Sequence, residues 1–229
     1  MLKVYIVGGY GTLAGIDIVN KMINHYTKLT DINTDGDNIN FILDSCPLKT
    51  LHDSIDSCND SFHKCLERIK KLNNNIILGI GCNTMHLCLE YILFDNNIKI
   101  INMIESTCKK VNKIYNNNKI YLLSTKETYT NNIYQNTLKK YNLRLENNSE
   151  IIFKCIKKIY TNVKKCILDR TLEFDIILDN ITDNSIVILG CTELPIVKKH
   201  FENKENIKIV DCNQELGNAL ATEYLNERL

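Results

Sequence analysis

The sequence predicts an α/β protein made of two similar Rossmann-like domains with parallel sheets. Three observations carry that expectation. Short, nearly continuous apolar runs rich in β-branched residues alternate with longer amphipathic segments. Each run ends in Gly, Ser, Asp or Asn, and strands apolar on both faces belong to parallel sheets covered by helices. Finally, a strand–glycine–cysteine pattern occurs twice, with its two cysteines 109 residues apart, about the length of one small α/β domain.

Taken along the chain, the first expected strand is 3–7 (Lys-Val-Tyr-Ile-Val), stopped by Gly8 and Gly9, and a helical pattern covers 14–29. A second strand at 39–43 precedes a helix at 57–72; a third at 76–80 runs into Gly81 and Cys82. Strand 99–103 is followed by helix 105–115, and strand 119–123 by helices 130–141 and 151–167. Strand 185–189 runs into Gly190 and Cys191, and strand 207–210 into a last helix at 213–225. In open α/β sheets, ligands bind at the carboxyl ends of strands. Two such edges facing each other would bring Cys82 and Cys191 together across a cleft.

Composition narrows the function classes. The 229 residues are 44% hydrophobic and 24% charged, with 28 basic and 27 acidic residues for a formal charge of +1. That is enough apolar material for packed cores and ordinary for a globular protein. No long basic block exists, and pairs such as Lys109–Lys110 and Lys139–Lys140 read as solvated helix faces, so nucleic acid is not an expected partner. No apolar run approaches the roughly 20 residues of a membrane span, and the apolar stretch after Lys3 is too short for a secretory signal. The expectation is a soluble, cytoplasmic protein. Ten cysteines are scattered without a CxxC pair, which argues against a zinc ribbon or thioredoxin-like motif and for mostly buried small hydrophobes.

Three constellations could carry chemistry. Gly9-x-Gly11-x-x-Ala14 after the first strand fits a relaxed dinucleotide fingerprint, with Asp44 as the ribose partner. Asp44 lies about 33 residues past Gly11 where roughly 20 is usual, so a tight turn lining a smaller site is the simpler reading. The second constellation is the pair Cys82 and Cys191. A thiol of ordinary pKa near 8.5 is only a few per cent thiolate at neutral pH. Helix-like segments follow both cysteines, so a helix N-terminus would favour the thiolate, with Asn83, Thr84 and Thr192 beside them. The plain alternative is two buried structural cysteines. The third is His86, four residues after Cys82. It could form a nucleophile–base dyad with Cys82, join Cys82 and Cys191 at a metal, or hold the loop by hydrogen bonds from behind.

At these motifs the chain resembles the aspartate/glutamate racemase family, closest to its aspartate racemase branch. The matching residues are Gly8-Gly9-Tyr10-Gly11, Cys82-Asn83-Thr84-Met85-His86 and Gly190-Cys191-Thr192-Glu193-Leu194. The family's usual forms are GGMGP, CNTAH and GCTEL. Met103-Ile104-Glu105, Leu122-Leu123-Ser124-Thr125 and Thr128 extend the likeness over nearly the whole chain. Glu193, where glutamate racemases typically carry a histidine, favours the aspartate branch. Tyr10 and Thr12 depart from the family's Met and Pro. Lys49-Thr50 stands where Arg-Thr is common, losing the bidentate fork of a guanidinium.

The resemblance implies a racemase that needs no cofactor or metal, acting on a small acidic amino acid, and commonly a homodimer. It implies Cys82 and Cys191 as the two proton-transfer groups, in a cleft between domains 1–103 plus 212–229 and 104–211, the last helix returning to the first domain. Gly9, Gly11, Asn83, Thr84, Thr125 and Thr192 would surround the α-carboxylate; Lys49 and Lys164 would neutralise the side-chain carboxylate, with Glu193 also lining the site. Within the same superfamily, decarboxylases typically keep one of the two cysteines, whereas a maleate-type cis–trans isomerase can keep both. A non-catalytic binder of acidic amino acids, and more remotely a nucleotide-dependent oxidoreductase, are readings from other classes.

Overall fold

The computed structural model describes residues 2–47, 55–72, 74–91, 94–202, 204 and 206–228. They divide into two compact units, Met1–Met103 with Asn213–Leu229, and Ile104–Cys212. Each is a mixed α/β unit around a parallel sheet.

In the first unit, β1 (Leu2–Val7), β2 (Phe41–Asp44), β3 (Asn75–Ile80) and β4 (Ile98–Ile101) form a sheet of order β2-β1-β3-β4. Every pairing is parallel, with Val7 opposite Asp44 on one side and Ile80 on the other. Successive side chains point to opposite faces, so an apolar run feeds two cores. Tyr5, Val7, Ile76, Leu78 and Ile80 pack with Phe62, Cys65, Leu66 and Ile69 of α2 (Ile55–Lys70) and with Met85 and Cys88. On the other face lie α1 (Thr12–Leu29) and α8 (Cys212–Arg228), Leu220 of α8 packing against Gly79.

α8 is sequence-distant from this unit and close contact holds it there. A Cβ at Gly217 would lie 2.8 Å from Met22 N and 3.1 Å from Ile18 O, so the backbones of α1 and α8 nearly touch. Asn213 donates to Asp17 (2.7 Å), Tyr26 and Tyr224 meet edge to face, and Arg228 donates to Tyr26 Oη and Gly36 O.

The second unit has the order β5-β6-β7, from β5 (Ile120–Leu123), β6 (Ile186–Leu189) and β7 (Lys208–Asp211), again wholly parallel. Ile120, Leu122, Ile186, Ile188 and Val210 pack with Ile104, Cys108 and Val111 of α3 (Met103–Ile114) and Tyr134 and Leu138 of α5 (Ile133–Lys139). On the opposite face α6 (Glu150–Lys164) lies on β5 and packs with α7 (Leu172–Asp179). The two units exchange helices: α3 follows the last strand of the first unit but belongs to the second, and α8 does the reverse.

All seven expected strands form. Three helical expectations change. The helix expected at 130–141 forms as the shorter α5, started by Asn132 in a left-handed conformation (φ 55°), and a separate short helix, α4 (Lys126–Thr130), precedes it unexpected. α7 went unexpected: Leu172, Phe174, Ile176, Ile177 and Leu178 within eight residues leave no clear apolar stripe. The segments after the two cysteines, Thr84–Tyr91 and Leu194–His200, are 3₁₀ helices instead of α-helices.

Candidate active site

In each unit the sheet's carboxyl edge is extended by one glycine. Gly81 N donates to Val7 O (2.8 Å) and Gly190 N donates to Leu123 O (2.8 Å), each carrying the parallel ladder one residue past the strand end. The following residue is a cysteine in both cases, Cys82 beside the end of β1 and Cys191 beside the end of β5.

On the first edge, Cys82 is half-buried against the apolar cluster that contains Met85 and Cys88, and Asn83 beside it is buried. His86 fixes this turn. One ring nitrogen, Nδ1, lies 2.9 Å from Cys82 O, and the other, Nε2, accepts from Met103 N–H (3.2 Å). Because Nε2 accepts, Nδ1 carries the proton and donates to the Cys82 carbonyl. With both nitrogens bonded to backbone, the ring braces the cysteine loop and leaves no lone pair for a dyad with the Cys82 thiol or for a metal. Among the described residues no group of three or more His, Cys, Asp or Glu is arranged to hold a metal ion.

The glycine loop works differently from the fingerprint reading. Among the described residues no glycine has a positive φ, and Gly11, the N-cap of α1, is extended at φ −167°. Close packing falls instead on Gly8 and Gly15: a Cβ on either would lie 3.2 Å from the other's Cα and 2.7–3.0 Å from Leu43 Cδ1. Gly9 and Gly11 sit between them, at the same sheet edge as Cys82, Asn83 and Thr84. Asp44 is also taken. Its Oδ2 accepts from Tyr5 Oη (2.5 Å) and from Arg68 Nε (2.9 Å) and Nη2 (2.6 Å), and its Oδ1 accepts from Cys46 N (3.1 Å). Burial alone would raise this carboxyl's pKa, but these donors hold it below the usual carboxylate range. A ribose hydroxyl would have to displace that network, which removes the structural basis for dinucleotide binding.

The second edge carries the stronger electrostatic signature. Cys191 is 6% exposed, and its Sγ donates to Glu193 Oε2 (3.2 Å), which also accepts from Thr192 Oγ1 (3.3 Å). Lys164, on α6, brings its Nζ to 3.6 Å from Glu193 Oε1 and lies over the ring of Tyr160. Sequence expectation thus finds Cys191, Thr192, Glu193 and Lys164 in one cluster. The expected thiolate-favouring helix terminus is overturned. Burial and then the Glu193 charge and hydrogen bond push the Cys191 thiol well above its ordinary value. The short 3₁₀ turn starting at Leu194 brings no comparable opposing field.

Thr125 is the N-cap of α4, where its Oγ1 accepts from Thr128 N (3.3 Å) and donates to Thr128 Oγ1 (3.2 Å). Lys49 lies outside the described residues. Tyr160 was missed from sequence, although it sits four residues before Lys164 and therefore on the same helical face. Burial, Cys191, Glu127 and Glu193 together raise its phenol above the ordinary value.

A family model described as Asp/Glu/hydantoin racemase matches residues 7–220. The chain belongs to that family. Over 230 residues it is 23% identical to the broad specificity amino-acid racemase RacX of Bacillus subtilis, covering 96% of this chain and 97% of the relative. It is 26% identical over 214 residues to a glutamate racemase of Fusobacterium nucleatum, covering 89% and 75% of the two chains. Among solved structures, the aspartate racemase of Picrophilus torridus superposes with a TM-score of 0.75 at 22% identity, over 98% of this chain and 94% of that one. These relatives are amino-acid racemases, which are isomerases. Membership covers both sheet edges, since the matched span contains Gly8–Gly11, Cys82–His86 and Gly190–Glu193. Among the described residues, no helix is long and apolar enough to cross a membrane.

Proposed function

We propose that this racemase-family chain interconverts the enantiomers of an acidic amino acid, aspartate first, by proton transfer between the α-carbon and the thiols of Cys82 and Cys191. The observation that carries this reading is the repeated edge: each cysteine follows a glycine bonded to the neighbouring strand's last carbonyl, in a chain of this family. Racemisation needs a base on one face of the α-carbon and an acid on the other, so the reading requires the two edges to meet on one substrate. One thiolate takes the α-proton and the opposite thiol returns one; reversing the protonation states runs the reaction the other way. The hydrogen bond to Glu193 supports Cys191 as the thiol that enters protonated. Asn83, Thr84, Thr125, Thr192 and the Gly9–Gly11 loop are assigned to the α-carboxylate, where donors fixed in place stabilise the developing carbanion. Lys164 and Lys49 are assigned to the side-chain carboxylate.

A wider substrate range is the second reading. It is favoured by the ion pair between Lys164 and Glu193, which already neutralises the lysine expected to demand an acidic side chain. The test for both is incubation in D₂O of each enantiomer of aspartate, glutamate and several neutral amino acids, without added cofactor. α-Deuterium incorporation with loss of optical activity is expected, abolished in Cys82→Ala and Cys191→Ala. No exchange with any of them would sink the proposal. Turnover of maleate instead would indicate an isomerase, and a rise in melting temperature with acidic amino acids but no exchange would indicate a binding protein.

A further inference from the structure

We infer that Glu193 sets the substrate range of the Cys191 edge: its carboxylate stands in for a substrate's side-chain carboxylate on Lys164, so neutral side chains are accepted beside acidic ones. This deepens the proposed function and rests on its assignment of Lys164 to the substrate side chain. Lys164 ends α6, and Glu193 follows Cys191 by two residues, just ahead of the 3₁₀ turn at Leu194. The glutamate side chain is 7% exposed and the lysine side chain 44% exposed. The two oxygens of the carboxylate face different partners. Oε2 accepts from Cys191 Sγ (3.2 Å) and Thr192 Oγ1 (3.3 Å), whereas Oε1 faces Lys164 Nζ at 3.6 Å.

The length of that last contact decides what it can do. A charged N–H···O bond is about 2.7–2.9 Å long, and the pairs Lys126–Glu150 (2.8 Å) and Lys158–Glu173 (2.9 Å) reach it. At 3.6 Å Glu193 neutralises Lys164 by charge without a short hydrogen bond. The Tyr160 ring, 5.4 Å from Nζ, gives the ammonium a second anchor on its own helix. An ammonium has three N–H bonds, so a ligand carboxylate can take one at full hydrogen-bond length and outcompete Glu193 for it. Glu193 then keeps Cys191 and Thr192. With a neutral side chain nothing has to move, because Lys164 already faces a carboxylate. Glu193 therefore weakens acidic substrates, which must compete, and spares neutral ones an unmatched lysine. The partial exposure of Lys164 lets water screen both effects, which limits them to about tenfold.

Aspartate and asparagine are nearly the same shape and differ in side-chain charge, so the ratio of their kcat/KM values isolates the competition. Any effect of Glu193 on the Cys191 proton is common to both substrates and cancels in that ratio. Glu193→Gln is expected to raise the aspartate-to-asparagine ratio about tenfold. Glu193→Asp, which keeps the charge but draws it back by one methylene, should raise it part of the way. In Glu193→Gln combined with Lys164→Gln the rise should disappear, because the competition acts through Lys164. Calorimetric affinities for succinate and succinamate should show the same shift without turnover. A ratio within about twofold of the unaltered chain in both Glu193 variants, or a rise that survives the loss of Lys164, overturns the inference. So does an unaltered chain that prefers the acidic member about a thousandfold or more in both assays. A shifted succinate-to-succinamate ratio without any racemisation upholds Glu193 and refutes the racemase reading alone; racemisation with both ratios unmoved does the opposite. No binding and no turnover of any of the four ligands overturns both.

Discussion

Glu193→Gln tests the electrostatics of the Cys191 edge directly. In the structure the carboxylate holds the thiol protonated in two ways, by its charge and by accepting the S–H bond at 3.2 Å. Glutamine keeps the shape and an acceptor oxygen but removes the charge. A hydrogen bond to a charged group is worth about 1.5–3 kcal/mol, and 1.36 kcal/mol is one pKa unit, so the Cys191 pKa should fall by about 1–2 units. Lys164, now unpaired with Glu193, adds a positive charge that acts in the same direction. At a fixed pH below the thiol's pKa the thiolate fraction should therefore rise about ten- to a hundredfold. The assay is iodoacetamide labelling across a pH series, with Cys191 followed by peptide mass spectrometry. Cys65 and Cys108, buried thiols pushed up to about 12, serve as slow internal references. Lys164→Gln should shift Cys191 the other way. An unchanged or slower Cys191 rate in a Glu193→Gln chain of unchanged melting temperature would refute the argument.

Three further outcomes are expected. Gly217→Ala should cost about 2 kcal/mol or more in urea unfolding, because its Cβ would strike Met22 N and Ile18 O, backbone atoms that cannot rotate away. Asp44→Asn should cost about 2 kcal/mol near neutral pH and flatten the loss of stability in acid: the carboxyl's folded pKa is depressed, so its contribution is present above the unfolded value and is lost as pH falls through the folded one. Cys65 and Cys108, raised from 9.0 to about 12, give the reverse dependence, with stability full below pH 9 and lost as pH rises towards 12. Denaturation midpoints should accordingly drop above pH 9, and Cys65→Ala should flatten that drop.

The strands were legible because a parallel strand buried on both faces must be apolar almost throughout, and Ile76–Ile80 or Ile186–Leu189 can be little else. The two cysteine edges were legible for a related reason: a glycine is required where the ladder passes close to neighbouring atoms, and at Gly190 a Cβ would lie 2.5 Å from Leu122 Cδ1. What sequence could not supply was which partner a side chain takes across the fold. Asp44 reads as a strand-end acid free for a ribose, and only the packing of α2 on β1 and β2 reveals Arg68 and Tyr5 on it. Gly9 and Gly11 fit a spacing rule, yet Gly8 and Gly15 carry the close approach. The local sequence after Cys191 suggests a helix terminus, but the sign of its pKa shift is set by burial and a carboxylate two residues away.

That last point shows how one repeated framework sets its two thiols beside different neighbours. Strand, glycine, cysteine and 3₁₀ turn recur on both edges, so the backbone treats Cys82 and Cys191 alike. The position two residues after the cysteine does not: it is Glu193 on one edge and Thr84 on the other. A carboxylate there retains the thiol's proton, whereas a neutral hydroxyl contributes no charge. The first edge invests elsewhere, in His86, whose two nitrogens tie the Cys82 carbonyl to the start of α3. The proposed two-thiol reaction needs one group holding a proton while the other lacks it, and a difference at a single equivalent position would bias which is which. The asymmetry is therefore expected to lie in side chains laid over a symmetric backbone, and the Cys191 half of it depends on Glu193.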